Sequence, residues 1–136
     1  GVLMEFWQAN AKGIYNSPAN SGNPDLDPWF NGYGRLRSAS GEYKFCTIMP
    51  GASDNRAPNI TITLFSDGIS RIVTQVFFEG HRANETDPVL KSLDIDDQAR
   101  LIARHGGQTD DGAEIYRLDI VMAGANETPF FDDFDS

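Results

Sequence analysis

Metal binding, nucleophilic catalysis and phosphate cradling each need particular residue types at particular spacings, and this chain of 136 residues offers few of them. His81 and His105 are its only histidines; each sits between glycine and arginine, with no Cys-x-x-Cys, His-x-His or His–carboxylate spacing beside it. No Gly-x-Ser-x-Gly elbow supports a hydrolytic triad. Gly32-Tyr33-Gly34 is not followed by a helical pattern, so it fails as a dinucleotide loop. The most telling stretch is Ala57-Pro58-Asn59-Ile60-Thr61-Ile62-Thr63-Leu64-Phe65. Its alternation puts Ile60, Ile62 and Leu64 on one face of a strand and Asn59, Thr61 and Thr63 on the other. A His-x-His pair on such a strand would set two imidazoles about 7 Å apart, ready for a metal. Ile60 and Ile62 offer only hydrocarbon at those places.

The remaining chemistry-bearing residues have ordinary uses. Arg35 and Arg37 alternate on one strand face and could hold an anion, but abundant carboxylates are at hand to pair with them. Asp94, Asp96 and Asp97, and the tail acids Asp132, Asp133 and Asp135, read as helix starts and solvated faces; a calcium-binding domain would rest on these clusters alone. The Asn59-Ile60-Thr61, Asn84-Glu85-Thr86 and Asn126-Glu127-Thr128 triplets match glycosylation acceptors and are expected to be chance matches, Gly1-Val2-Leu3-Met4-Glu5 not reading as a secretory signal. Cys46, the single cysteine, excludes an internal disulfide and suits a reducing cytoplasm, where a strand thiol is expected to be a small buried hydrophobe.

The elements that must position these residues follow from periodicity and turn chemistry. With 40% hydrophobic residues the chain can make one domain over residues 1–136, burying roughly two thirds of its unfolded surface. A strand over Val2–Ala9 is already under way at the first residue, which leads to the expectation that upstream sequence is missing or is carried on another segment. Residues 13–34 are rich in Gly, Pro, Asn and Asp and read as one long loop. Leu36–Ala39 and Tyr43–Ile48 flank Ser40-Gly41 as a hairpin. The central strand, a Ser66-Asp67-Gly68 turn and a strand over Ile69–Phe78 follow, the last apolar on both faces and therefore central. Asp87-Pro88 caps a short helix to Leu93, and Asp94 or Asp96 caps a second to Arg104 with Gly106 as its stop. Asp111-Gly112 turns into an alternating strand over Glu114–Met122, and Phe130, Phe131 and Phe134 are expected to dock. The fold class is all-β: an antiparallel β-sandwich with one or two short helices near the C-terminal third.

The formal net charge of −9 and a pI near 4.5 argue against nucleic-acid and anionic membrane partners. No apolar run reaches the roughly 20 residues that span a bilayer. On these grounds alone the chain is a soluble β-rich domain without a catalytic constellation.

Several motifs in fixed order nevertheless resemble one family. Leu3-Met4-Glu5-Phe6-Trp7-Gln8-Ala9-Asn10-Ala11-Lys12-Gly13-Ile14-Tyr15 is similar to the Trp-Gln-Ala signature of intradiol ring-cleavage dioxygenases. Ala57-Pro58-Asn59-Ile60-Thr61-Ile62, Thr74-Gln75-Val76-Phe77-Phe78-Glu79-Gly80 and the ending Tyr116-Arg117-Leu118-Asp119-Ile120 with Gly124, Glu127, Thr128, Phe130 and Phe131 resemble its later strands. The resemblance implies a ferric ion held by two tyrosines and two histidines on a catalytic β chain, with a catechol chelating the iron before oxygen attacks the ring. Carried over residue by residue, the histidines fall on Ile60 and Ile62 and the tyrosines on Gly22 and near Ser53, so all four ligands are lost. The family's arginine becomes Ala57, and its active-site glutamine persists as Gln75, here expected to be a bonded core amide. Asp67 stands where α-type chains often carry an arginine at the pocket rim. The resemblance therefore implies an α-type chain without its own iron, whose partners are an iron-bearing β chain, a larger αβ oligomer and, in that complex, an aromatic substrate. The rival reading is a stand-alone, non-catalytic β-sandwich binding module.

Overall fold

The computed structural model describes residues 2–66 and 70–131. The expected turn at Asp67-Gly68 and the docking of Phe134 lie outside these. Six strands form one mixed sheet: β1 (Val2–Gln8), β2 (Tyr33–Ser38), β3 (Asn59–Ser66), β4 (Ser70–Phe78), β5 (Ile102–Gln108) and β6 (Glu114–Arg117), in the spatial order β2-β1-β3-β4-β5-β6. Two short helices, α1 (Pro88–Lys91) and α2 (Ile95–Leu101), cross between β4 and β5. No helix among the described residues is long and apolar enough to cross a membrane.

β3 lies near the centre because both of its neighbours match its pattern. Its Ile62 is paired with Phe6 of β1 and Thr74 of β4, and its Leu64 with Met4 and Ile72. Ile60, Ile62 and Leu64 are buried with Met4, Val76 and Phe78 in the larger core cluster. β4 is central as expected, with its other face feeding a second cluster in which Phe77 meets Ala57, Leu90 and Leu101.

The all-β expectation with two short helices is met, and four details depart from it. First, β4 and β5 run parallel, so the sheet is not wholly antiparallel. The α1–α2 crossover returns the chain in the same direction, as a helical connection does. Second, α2 stops at Leu101 rather than Arg104, and Ile102–Gln108 is a strand. Pairing with β4 at Phe77 and Phe78 and with β6 at Tyr116 and Arg117 overrides the helical tendency of a short segment. Gly106 is accordingly no helix stop; the left-handed residue is Gly107, at φ 102° in the irregular register between His105 and Gln108. Third, Tyr43–Ile48 and residues 118–122 belong to no strand among the described residues. They lie over the larger cluster through Tyr43, Phe45, Leu118 and Ile120 as an outer layer. Fourth, Cys46 is exposed, because the inward places on its segment fall on Tyr43 and Phe45.

Other local expectations hold. The Asp87 carboxylate accepts from Val89 N and Leu90 N at 2.9 and 3.2 Å, capping α1. Asp94, rather than Asp96, caps α2 by accepting from Asp97 N at 2.8 Å. Phe130 packs on the larger cluster, and Phe131 N donates to Val73 O at 2.8 Å.

At the β1–β2 end, Glu5 accepts from the Tyr33 hydroxyl at 2.7 Å and from Arg35. These bonds, the tyrosine's first, hold its carboxyl below the ordinary 4.5. A carboxylate with a depressed folded pKa adds stability above its unfolded pKa and loses it as the pH falls through the folded one. Urea unfolding of Glu5→Gln should therefore show a deficit at neutral pH that closes progressively below 4.5. A deficit constant across that range would contradict the assignment.

Candidate functional site

The long connection between β1 and β2 is folded back by Asn10. Its side-chain oxygen accepts from Lys12 N and Ile14 N at 2.9 and 3.0 Å, and its amide donates to Asp25 O at 2.9 Å. Gly13, at φ 82°, passes so near Ala52 that a Cβ would stand 2.2 Å from its carbonyl oxygen, a place only glycine can fill. This fold-back lays Tyr15 on Trp7, with ring centroids 5.5 Å apart.

Trp7, Thr61 and Gln75 are register partners across β1, β3 and β4, and so share one face of the sheet. The Gln75 amide donates to Thr61 Oγ1 at 3.1 Å and accepts from Arg56. Arg56 Nε in turn donates to Asp87 Oδ2 at 2.9 Å, and its guanidinium lies 5.9 Å from the centre of the Phe77 ring. Ala57 N donates to the same Asp87 oxygen at 2.8 Å. Burial raises the Tyr15 phenol's pKa, and the Arg56 charge opposes that rise. Asn59, on the same parity as Thr61, is buried, and its Oδ1 has no partner among the described residues. Together these residues make a polar and aromatic row with one fixed cation, one compensating carboxylate and several neutral donors and acceptors.

The residues expected from sequence are scattered relative to this row. Ile60 and Ile62 are 3% and 2% exposed on the opposite, apolar face. Gly22 is exposed in the long loop with nothing within 4 Å of a Cβ built on it. Ser53 forms a small bridge with Arg56, Arg56 N donating to Ser53 O at 2.8 Å. Gln75 lies in the row with both ends of its amide bonded. Asp67 is outside the described residues. The residues missed were Tyr15, Arg56, Asn59, Thr61 and Asp87. Strand parity was the available signal, since Asn59 and Thr61 must face away from Ile60 and Ile62. Arg56, adjacent to the expected Ala57, is the arginine that reaches Gln75.

Ferric ion requires hard anionic oxygens and imidazoles. Among the described residues no group of three or more His, Cys, Asp or Glu could hold a metal. The carboxylate nearest the row, Asp87, is taken up by Arg56, Ala57, Val89 and Leu90, and the guanidinium beside Gln75 would repel a cation. Neither the row nor the isoleucine face fits iron. His105 is elsewhere, on the β5–β6 hairpin against Glu114 and Tyr116.

A family model described as Dioxygenase matches residues 1–124. The protocatechuate 3,4-dioxygenase beta chain of Burkholderia cepacia is 38% identical, the alignment covering 94% of this chain and 59% of that one. The alpha chain from Pseudomonas putida is 33% identical, with coverages of 96% and 66%. The chain thus spans 59% to 66% of the length of these two relatives. Among solved structures, the dioxygenase domain of a dioxygenase carbohydrate-binding protein fusion from Streptomyces sp. SirexAA-E superposes with a TM-score of 0.68 at 25% identity, covering 92% of this chain and 70% of that one. An intradiol ring-cleavage dioxygenase from Tetranychus urticae shares the fold, with a TM-score of 0.61 at 18% identity over 88% of this chain and 70% of its own.

Two sets of variants test the two faces. Asp87→Ala strips the part-buried Arg56 of its partner and α1 of its cap, and should cost about 2–4 kcal/mol in chemical denaturation. A loss comparable to a surface substitution would mean that the pair does not form. Introducing histidine at both Ile60 and Ile62 should lower the melting temperature, each unpaired buried polar group costing about 1–3 kcal/mol, and should yield no bound iron by metal analysis.

Proposed function

The chain belongs to the intradiol ring-cleavage dioxygenase family, and on that footing we propose that it is an α-type, non-catalytic subunit of a protocatechuate 3,4-dioxygenase. In this reading the assembled enzyme cleaves 3,4-dihydroxybenzoate with dioxygen to 3-carboxy-cis,cis-muconate. Ferric iron is held by a β-type partner, and this chain helps to shape the partner's pocket within a larger αβ oligomer. A cytoplasmic location is part of the proposal, motivated by the lone thiol of Cys46 and the acidic surface.

One observation carries the reading: the face that holds Gln75 presents asparagine, threonine and an arginine locked by Asp87, and the opposite face presents isoleucine. The beta chain shares more identity than the alpha chain, 38% against 33%. Identity over a shared scaffold counts core residues and turns, however, whereas iron chemistry depends on a handful of donors. The test is iron content and oxygen uptake with 3,4-dihydroxybenzoate, for the chain alone and copurified with a β-type chain. Iron and turnover should be found only in the complex. Stoichiometric iron in the isolated chain would overturn the proposal, and failure to form any complex would leave the binding module as the better reading.

A further inference from the structure

The β5–β6 hairpin carries two arginines that the described residues leave without a counter-charge. Arg104 and Arg117 are register partners across the two strands, so their side chains leave the same face with Cβ atoms about 5 Å apart. Ala103 and Tyr116, one position away on each strand, pack on the larger core cluster. The arginines therefore leave from the opposite face, where both are exposed. The Arg117 guanidinium lies on the bare backbone of Gly106: a Cβ built there would stand 2.9 Å from Nη1 and 3.5 Å from Cζ. Glycine at this position opens the seat that the guanidinium occupies.

Like charges placed directly opposite each other destabilise a strand pair. In a chain with 20 acids against 11 basic residues, a neighbouring carboxylate would be the ordinary remedy. The acids at hand are committed elsewhere. Glu114 accepts from the Gln108 amide at 2.7 Å and bonds His105, Glu79 accepts from His105 N, and Asp97 pairs with Arg100 at 2.6 Å. Among the described residues neither Arg104 nor Arg117 forms an ion pair or a hydrogen bond. Two adjacent guanidinium forks fit an oxyanion that can offer separate oxygens to each, as a tetrahedral phosphate does. We propose that Arg104 and Arg117 form a binding site for a phosphate group, free or at the end of a phosphomonoester. The inference does not depend on the α-type reading or on where iron is held.

The test is chemical unfolding of the whole chain with and without inorganic phosphate, chloride holding the ionic strength constant so that general screening is unchanged. At ten times its Kd, phosphate should lower the unfolding equilibrium constant about elevenfold. Arg104→Gln and Arg117→Gln, each removing one fork from an exposed position, should each lose most of that response. Arg37→Gln, at an exposed arginine of β2, should keep it in full. Phenyl phosphate separates the two sources: a response equal to that of inorganic phosphate assigns the site to either form, and a response to one of them alone assigns it to that one. Absence of a saturable response to both would overturn the proposal. So would a response that survives Arg104→Gln and Arg117→Gln, or one that Arg37→Gln abolishes equally, which would make it an effect of diffuse charge.

Discussion

The Asp87 carboxylate is the constraint on which the polar face depends. It is fully buried, and its two oxygens accept from Arg56 Nε, from the backbone of Ala57 just ahead of β3, and from Val89 N and Leu90 N at the start of α1. One side chain therefore ties the entry of the central strand to the helical crossover. A buried carboxylate is tolerated only when fully paired. Here the pairing does more than neutralise it, because the guanidinium it orients is the one that bonds Gln75.

From that point the face builds outward by strand register. Gln75 lies opposite Thr61, Thr61 opposite Trp7, and Tyr15 is returned to Trp7 by the loop that Asn10 organises. The same register puts Ile60 and Ile62 against Phe6, Thr74 and Val76 on the other face. A sheet keeps its two faces apart, so the isoleucines are absent from the row, and Arg56, beside Ala57, is present in it.

Much of the scaffold was legible from local patterns. The alternation of Asn59–Phe65, the two-faced apolar character of Ile72–Phe78, the Asp87-Pro88 cap and the Asp111-Gly112 turn each need only a few adjacent residues to be read. Elements whose form depends on distant partners were not. Ile102–Gln108 reads as the end of a helix until Phe77, Phe78 and Tyr116 are placed beside it. Tyr43–Ile48 reads as a paired strand, though no strand partner stands beside it among the described residues.

By itself the sequence determined the family and the strand-rich class, because ordered motifs and period-two alternation are written along the chain. It also determined which donors are available, since side-chain chemistry does not depend on folding. Tertiary structure alone decided which residues meet. Arg56 and Asp87 are 31 positions apart and Arg56 and Gln75 are 19 apart. Their contact is set by sheet register and by the path of the crossover, and neither is encoded in any local stretch.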